Sequence, residues 1–146
     1  MTDHGTSQTL EDRLELARAT VLEKGERFTP LREHVLELIM SDGGAVKAYD
    51  LLDRLEPDLG SPKPPTVYRA LEFLSKHGLI HRVEALNAFI ALDHGGKGHL
   101  AEFFICEKCQ SVEERHAHDH ADCKPDGFQI RRSVVEHYGQ CAKCAA

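Results

Sequence analysis

The chain is predicted to be α+β, with an N-terminal part of winged helix-turn-helix type and a small second part held by four cysteines. Three observations predict it. Apolar residues recur with the helical period as far as Lys76 and with period 2 beyond Gly78. Two short strand-like runs then follow the last helix at once, as a hairpin would. Finally, CEKC (Cys106 to Cys109) is echoed by CAKC (Cys141 to Cys144), with 31 residues between the pairs.

The elements follow in order. LEDRLELARATVLEKG spaces Leu10, Leu14, Ala17 and Val21 as one helical face, with Thr9 to cap it and Gly25 to end it. TPLREHVLELIMSDGG begins a second helix at Thr29 and Pro30, whose stripe of Leu31, Val35, Leu38 and Ile39 stops at Gly43 and Gly44. KAYDLLDRLEPDLG gives a short third helix with Leu51, Leu52 and Leu55 inward, and SPKPP a rigid turn. PTVYRALEFLSKHG is the fourth helix, with Val67, Leu71 and Leu74 toward a core and Tyr68, Arg69 and Lys76 elsewhere on its surface. LIHRVEAL and AFIAL form a hairpin hinged at Asn87. This order suits a domain that places its last helix in a DNA groove, although the same fold also serves protein contacts.

Residues 93–98, DHGGKG, read as a hinge between a domain at 1–92 and a second at 99–146. HLAEFFIC, SVEER and FQIRRSVVEHYG supply strands for the second domain, whose apolar content is thin for independent stability. Neither cysteine pair is expected to open a helix.

Composition narrows the function. The net charge is −6, divided equally between the segments before and after Val83, which disfavours indiscriminate coating of nucleic acid and still allows sequence-specific binding. No apolar run approaches the roughly 18 residues of a membrane span, and the N-terminus lacks a signal-peptide pattern, so a cytoplasmic protein without membrane contact is expected. Disulfides are disfavoured in that reducing compartment.

Two Cys-x-x-Cys turns supply the four soft ligands of a closed tetrahedral zinc site. Cys106, Cys109, Cys141 and Cys144 are therefore the candidate structural ligands, and their metal would staple the thin domain. The rival is a pair of redox motifs, which would call for a helix N-terminus beside a thiol. Cys123 is left without a partner. Histidines form a second constellation. His81 begins the wing, His94 and His99 flank the hinge, and Glu114 precedes His116, His118 and His120. A mixed imidazole and carboxylate site drawn from both domains could exchange metal and draw the domains together. The HAHDH run is either a further metal site, with His116 and His118 as ligands, or a solvated turn.

The stretches KPPTVYRALEFLSKHGLIHRVEALNAF, FICEKCQSVEE and HYGQCAKC resemble the ferric uptake regulator family of metal-dependent repressors, and within it the zinc uptake regulator branch. The resemblance runs from about Leu10 to Cys144. It implies a homodimer with an N-terminal winged helix and a C-terminal α/β dimerisation domain, binding operator DNA when loaded with zinc, with two zinc ions per subunit and no enzymatic activity. It makes Tyr68 and Arg69 the recognition-helix contacts, with Thr66 and Lys63 beside them and Arg27 as a groove or phosphate anchor. His81, His99 and Glu114 match three regulatory ligands. The fourth position, a cysteine in many zinc-sensing relatives, is Leu92 here, so His94, or Asp93 in its place, is expected to complete the set. The long helix that relatives place after SVEE is expected to be short or irregular, because RHAHDHADCKPDG holds Pro125 and little apolar periodicity. The function expected is repression of zinc-uptake genes. An iron, manganese or peroxide sensor of the same family is the alternative, and a zinc store or zinc-dependent hydrolase is the alternative from another class.

Overall fold

The structure, a computed structural model, describes residues 9–55, 60, 62–92, 100–116, 124–130 and 133–146. Helix α1 spans Leu10–Glu23 and opens on a reciprocal capping box, in which the Thr9 hydroxyl accepts from the Asp12 amide and the Asp12 carboxylate accepts from the Thr9 amide. Helix α2, Pro30–Asp42, is capped by Thr29 and stops at Gly43, whose φ of +73° is a left-handed conformation that L side chains rarely adopt. Its inward face is rotated slightly from the expected stripe. Val35, Leu36, Ile39 and Met40 are buried, while Leu31 and Leu38 pack at the margin.

Strand β1, Val46–Lys47, precedes helix α3, Ala48–Leu55, and Lys47 is therefore in a strand rather than in the expected third helix. Helix α4 is Pro64–Lys76, with prolines in its first turn and Val67, Ala70, Leu71 and Leu74 buried. The hairpin follows as β2 (Ile80–Val83) and β3 (Ala88–Ala91), joined by a 3-10 turn over Glu84–Leu86 and by Asn87 at φ +47°. Antiparallel pairing gives the order β1-β3-β2. This is a winged helix.

The second sheet contains β4 (Leu100–Cys106), β5 (Val112–His116) and β6 (Ser133–Gly139) in the order β5-β4-β6, with β4 antiparallel to β5 and parallel to β6. The last strand begins at Ser133, so Phe128 to Ile130, expected as part of it, are outside the ladder. A one-turn helix α5, Ala142–Ala145, closes the chain with Cys141 as its N-cap. This corrects the expectation that neither cysteine pair opens a helix. Residues 117–123, where a shortened helix was expected, lie outside the described residues, as does Cys123.

Strand periodicity explains how the two sheets meet. Along β3, Phe89 and Ala91 face the helical core, while Ile90 faces the other way. Ile90 packs with Val83 from β2 and with Phe103 and Ile105 from β4, and Leu86, Leu92, Ala101, Val112 and Val134 surround them. The wing is thus buried on both faces, and the second sheet gains from it the apolar partners that it lacks alone. Phe103 is fully buried at the centre of this seam. Phe103→Ala should cost about 3–5 kcal/mol, seen in urea unfolding, and should raise protease susceptibility at the seam.

Candidate metal centres

The parallel β4 and β6 pairing runs to its end at Cys106 opposite Gly139, and Glu107 N donates to Gly139 O at 2.8 Å. Beyond that point each strand turns sharply into its cysteine pair. On one side residues 107–109 form a turn leading to Gln110 at φ +65°, in which the Cys109 amide donates to Cys106 Sγ at 3.4 Å. On the other, Cys141 caps α5, and its carbonyl accepts from the Cys144 and Ala145 amides. The four sulfur atoms lie within 4.8 Å of one another.

Those sulfurs fit a tetrahedral thiolate centre. Bonds of about 2.3 Å place neighbouring sulfurs about 3.8 Å apart, and Cys109 Sγ to Cys141 Sγ is 3.7 Å. The contact is far longer than a disulfide bond of about 2.05 Å. Backbone amides of Cys109 and then Cys141 hold the Cys106 thiol down to about 6, whereas hydrogen bonding with Cys141, then burial, pushes Cys144 up to about 12. So close a group of thiols resists collecting negative charge, and a divalent cation relieves that resistance. The one-turn helix at Cys141 does not isolate its pair as a separate redox centre, because both pairs converge on one point.

The second constellation is assembled by strand register. His81 pairs with Ile90, which puts its imidazole on the seam face of the wing with Val83. On the opposing sheet Phe103 is in register with Glu114 on one side and Glu136 on the other, so the three side chains form one row on one face. The His81 ring lies nearly flat on Phe103, with centroids 5.1 Å apart and planes within 6°. Its Nε2–H donates to Glu136 Oε1 at 2.6 Å, and Tyr138 Oη donates to the other carboxylate oxygen. Burial would push Glu136 up, but the hydrogen bonds from Tyr138 and His81 outweigh it and hold the carboxyl below its ordinary range.

His81 and Glu114 are thus carried by elements that meet at the seam. His99, His94 and Asp93 lie outside the described residues, as do His118, His120 and the side chain of His116. Leu92 packs against the apolar seam. Sequence reasoning missed Glu136, whose only signal was an acidic residue in phase with Val134 and Tyr138 in a strand. On the winged half, Lys63, Thr66, Tyr68 and Arg69 are exposed at and near the start of α4. Arg27 is exposed before α2, and its carbonyl accepts from Arg32 Nη1 at 2.6 Å. No helix among the described residues is long and apolar enough to cross a membrane.

A winged helix joined to a four-cysteine α/β unit by a seam rich in potential ligands defines a metal-linked DNA-binding architecture. The family model described as the ferric uptake regulator family matches residues 23–137, and the chain belongs to that family. It is 38% identical over 143 residues to the zinc uptake regulation protein of Escherichia coli strain K12, covering 93% of this chain and 83% of that protein. The solved structure of a zinc uptake regulator complexed with zinc and DNA superimposes with a TM-score of 0.76 at 37% identity, covering 94% of this chain and 95% of that one. The holo form of XcZur gives 0.69 at 42% identity, over 90% and 96% of the two chains, and its apo form gives 0.55 at 37%, over 94% and 98%.

Cys106→Ser should lose the metal that resists chelation and should loosen the junction of β4 and β6. Metal analysis after dialysis against a chelator, paired with thermal unfolding, checks both effects.

Proposed function

We propose that the protein is a homodimeric, zinc-responsive transcriptional repressor of zinc-uptake genes, cytoplasmic and without enzymatic activity, holding two zinc ions per subunit. The observation that carries this reading is the position of His81, on the wing of the DNA-binding unit yet lying against the sheet that bears Glu114 and the cysteine centre. The likeness to a zinc uptake regulator bound to zinc and DNA supports it.

In this reading residues 1–92 bind DNA, 93–98 are the hinge and 99–146 form the dimerisation and metal-binding domain. Helix α4 enters the major groove with Tyr68 and Arg69 at the bases or backbone, Lys63 and Thr66 beside them, and Arg27 as a further anchor. Cys106, Cys109, Cys141 and Cys144 form the structural centre. His81, His99 and Glu114 form the regulatory one, and His94, with Asp93 as its substitute, is the neighbour expected to complete it. Bound there, zinc supplies a compact dication that draws imidazole and carboxylate ligands together. The seam already holds Val83 and Ile90 against Phe103, so ligation tightens an existing contact instead of gathering a freely swinging domain. A dimer fixed in this way presents two α4 helices at the spacing of two half-sites. The coupling is reciprocal, so operator DNA should tighten regulatory zinc by the factor by which zinc tightens DNA.

The test is DNA binding by the full chain, with its cysteine centre loaded, to sequences selected from a random pool, comparing zinc, ferrous iron and manganese in parallel. Zinc should restore binding at the lowest free concentration. Restoration by iron or manganese alone would make the protein a different sensor of the same family. His99→Ala should leave a folded dimer that needs more zinc, and Arg69→Ala should weaken DNA binding by about 1–3 kcal/mol with zinc content unchanged.

A further inference from the structure

We infer that Arg32 is a positioning residue for DNA binding: stacked on Phe73 of α4 and bonded to the Arg27 carbonyl, it clasps the segment that carries Arg27 to the helix that carries Arg69. The inference rests on the DNA-binding reading above and adds to it the means by which two of its contacts keep a fixed spacing.

The start of α2 supplies the first half of the clasp. Thr29 caps the helix, its hydroxyl accepting from the Arg32 amide at 3.3 Å, and the Arg32 side chain then turns back so that Nη1 donates to Arg27 O at 2.6 Å. Backbone on both sides of Phe28 is thus tied to one residue. Helix α4 supplies the second half. The Arg32 guanidinium lies over the Phe73 ring, its central carbon 3.6 Å from the centroid, which is the geometry of a cation–π contact. Phe73 stands four residues after Arg69, one turn along the same side of α4. The clasp therefore brings the Arg27 backbone to the side of the helix that carries Arg69.

The platform under Arg32 is backed by the core. Phe73 packs at the margin of the helical cluster, and its ring meets that of buried His77 with centroids 4.3 Å apart and planes tilted by 53°. Burial, and then the charge of Lys24, hold the His77 imidazole below its ordinary range, so at neutral pH it carries no charge to repel the guanidinium. A guanidinium suits both contacts at once, because its donors lie in the plane that stacks, whereas an ammonium is a compact charge with no such plane. The clasp takes only the carbonyl of Arg27, which is exposed, and not its guanidinium. Ordering that segment before DNA arrives removes part of the entropy cost of binding.

The experiment measures, by fluorescence anisotropy, how tightly the full zinc-loaded chain binds DNA selected from a random pool. Arg32→Lys keeps the charge, yet should weaken binding about fivefold with zinc content unchanged. Phe73→Leu, which keeps an apolar side chain and removes the ring face, should match it. In an Arg27→Ala background neither change should weaken binding further, a result that loss of fold or of a separate DNA contact would not give. The inference is overturned if Arg32→Lys binds as the parent does, since Arg32 would then serve only as a charge. It is equally overturned if the Arg32→Lys loss adds in full to that of Arg27→Ala, or if Arg27→Ala has no effect and leaves no anchor to position. A parent chain that selects no DNA at any zinc concentration would remove the DNA-binding reading itself, and the inference with it.

Discussion

The parallel ladder between β4 and β6 is the constraint on which the rest depends. Its register places Cys106 opposite Gly139, which delivers both cysteine pairs to one point, and the same register places Phe103 opposite Glu136 beneath His81. Side chains alternate faces along a strand, so a slip of one residue would turn Val134, Glu136 and Tyr138 to the outer face and shift the cysteine pairs out of alignment. One set of backbone hydrogen bonds therefore fixes both centres. A metal held by the four thiolates at the end of that ladder would act as a register lock.

The seam explains how a signal at the ligands could reach the DNA-binding surface. β3 is buried on both sides, giving Phe89 and Ala91 to the helical core and Ile90 to the second sheet. The core that receives Phe89 and Ala91 also contains Val67, Leu71 and Leu74 of α4, whose other side exposes Tyr68 and Arg69. A displacement of the wing is thus passed through close-packed side chains to α4, and close-packed interiors transmit small displacements.

In the proposed reading the two centres divide their work by ligand chemistry. Four thiolates around one tetrahedral ion would leave no open position, so a metal held there would be part of the fold. Imidazole and carboxylate ligands bind less tightly and, being drawn from separate sheets, make occupancy depend on how the sheets are placed. With a leucine at position 92, a responsive site at the seam would take no thiolate from that neighbour, and its selectivity among divalent metals would rest more on geometry than on softness.

Local signals in the sequence determined most of the helical half. Thr9, Thr29, Pro30, Gly43 and the glycine and proline punctuation mark real boundaries, because capping and backbone conformation are decided within a few residues. The cysteine centre was legible for a similar reason, as two short loops of fixed spacing each carry a pair of soft ligands. Local pattern did not reach β1, whose two residues become a strand only by pairing with β3, nor the start of β6 at Ser133. It also misjudged Cys141, which caps a helix too short to leave a periodic trace. The contact of Glu136 with His81 was hidden most completely, since a glutamate in a strand reads as solvated until the partner strand and the opposing sheet are known. Sequence alone determined which residue types could bind metal and DNA. Tertiary structure decided which of them meet, because contacts between His81, Phe103 and Glu136 join positions far apart in the chain through register and packing that no short window contains.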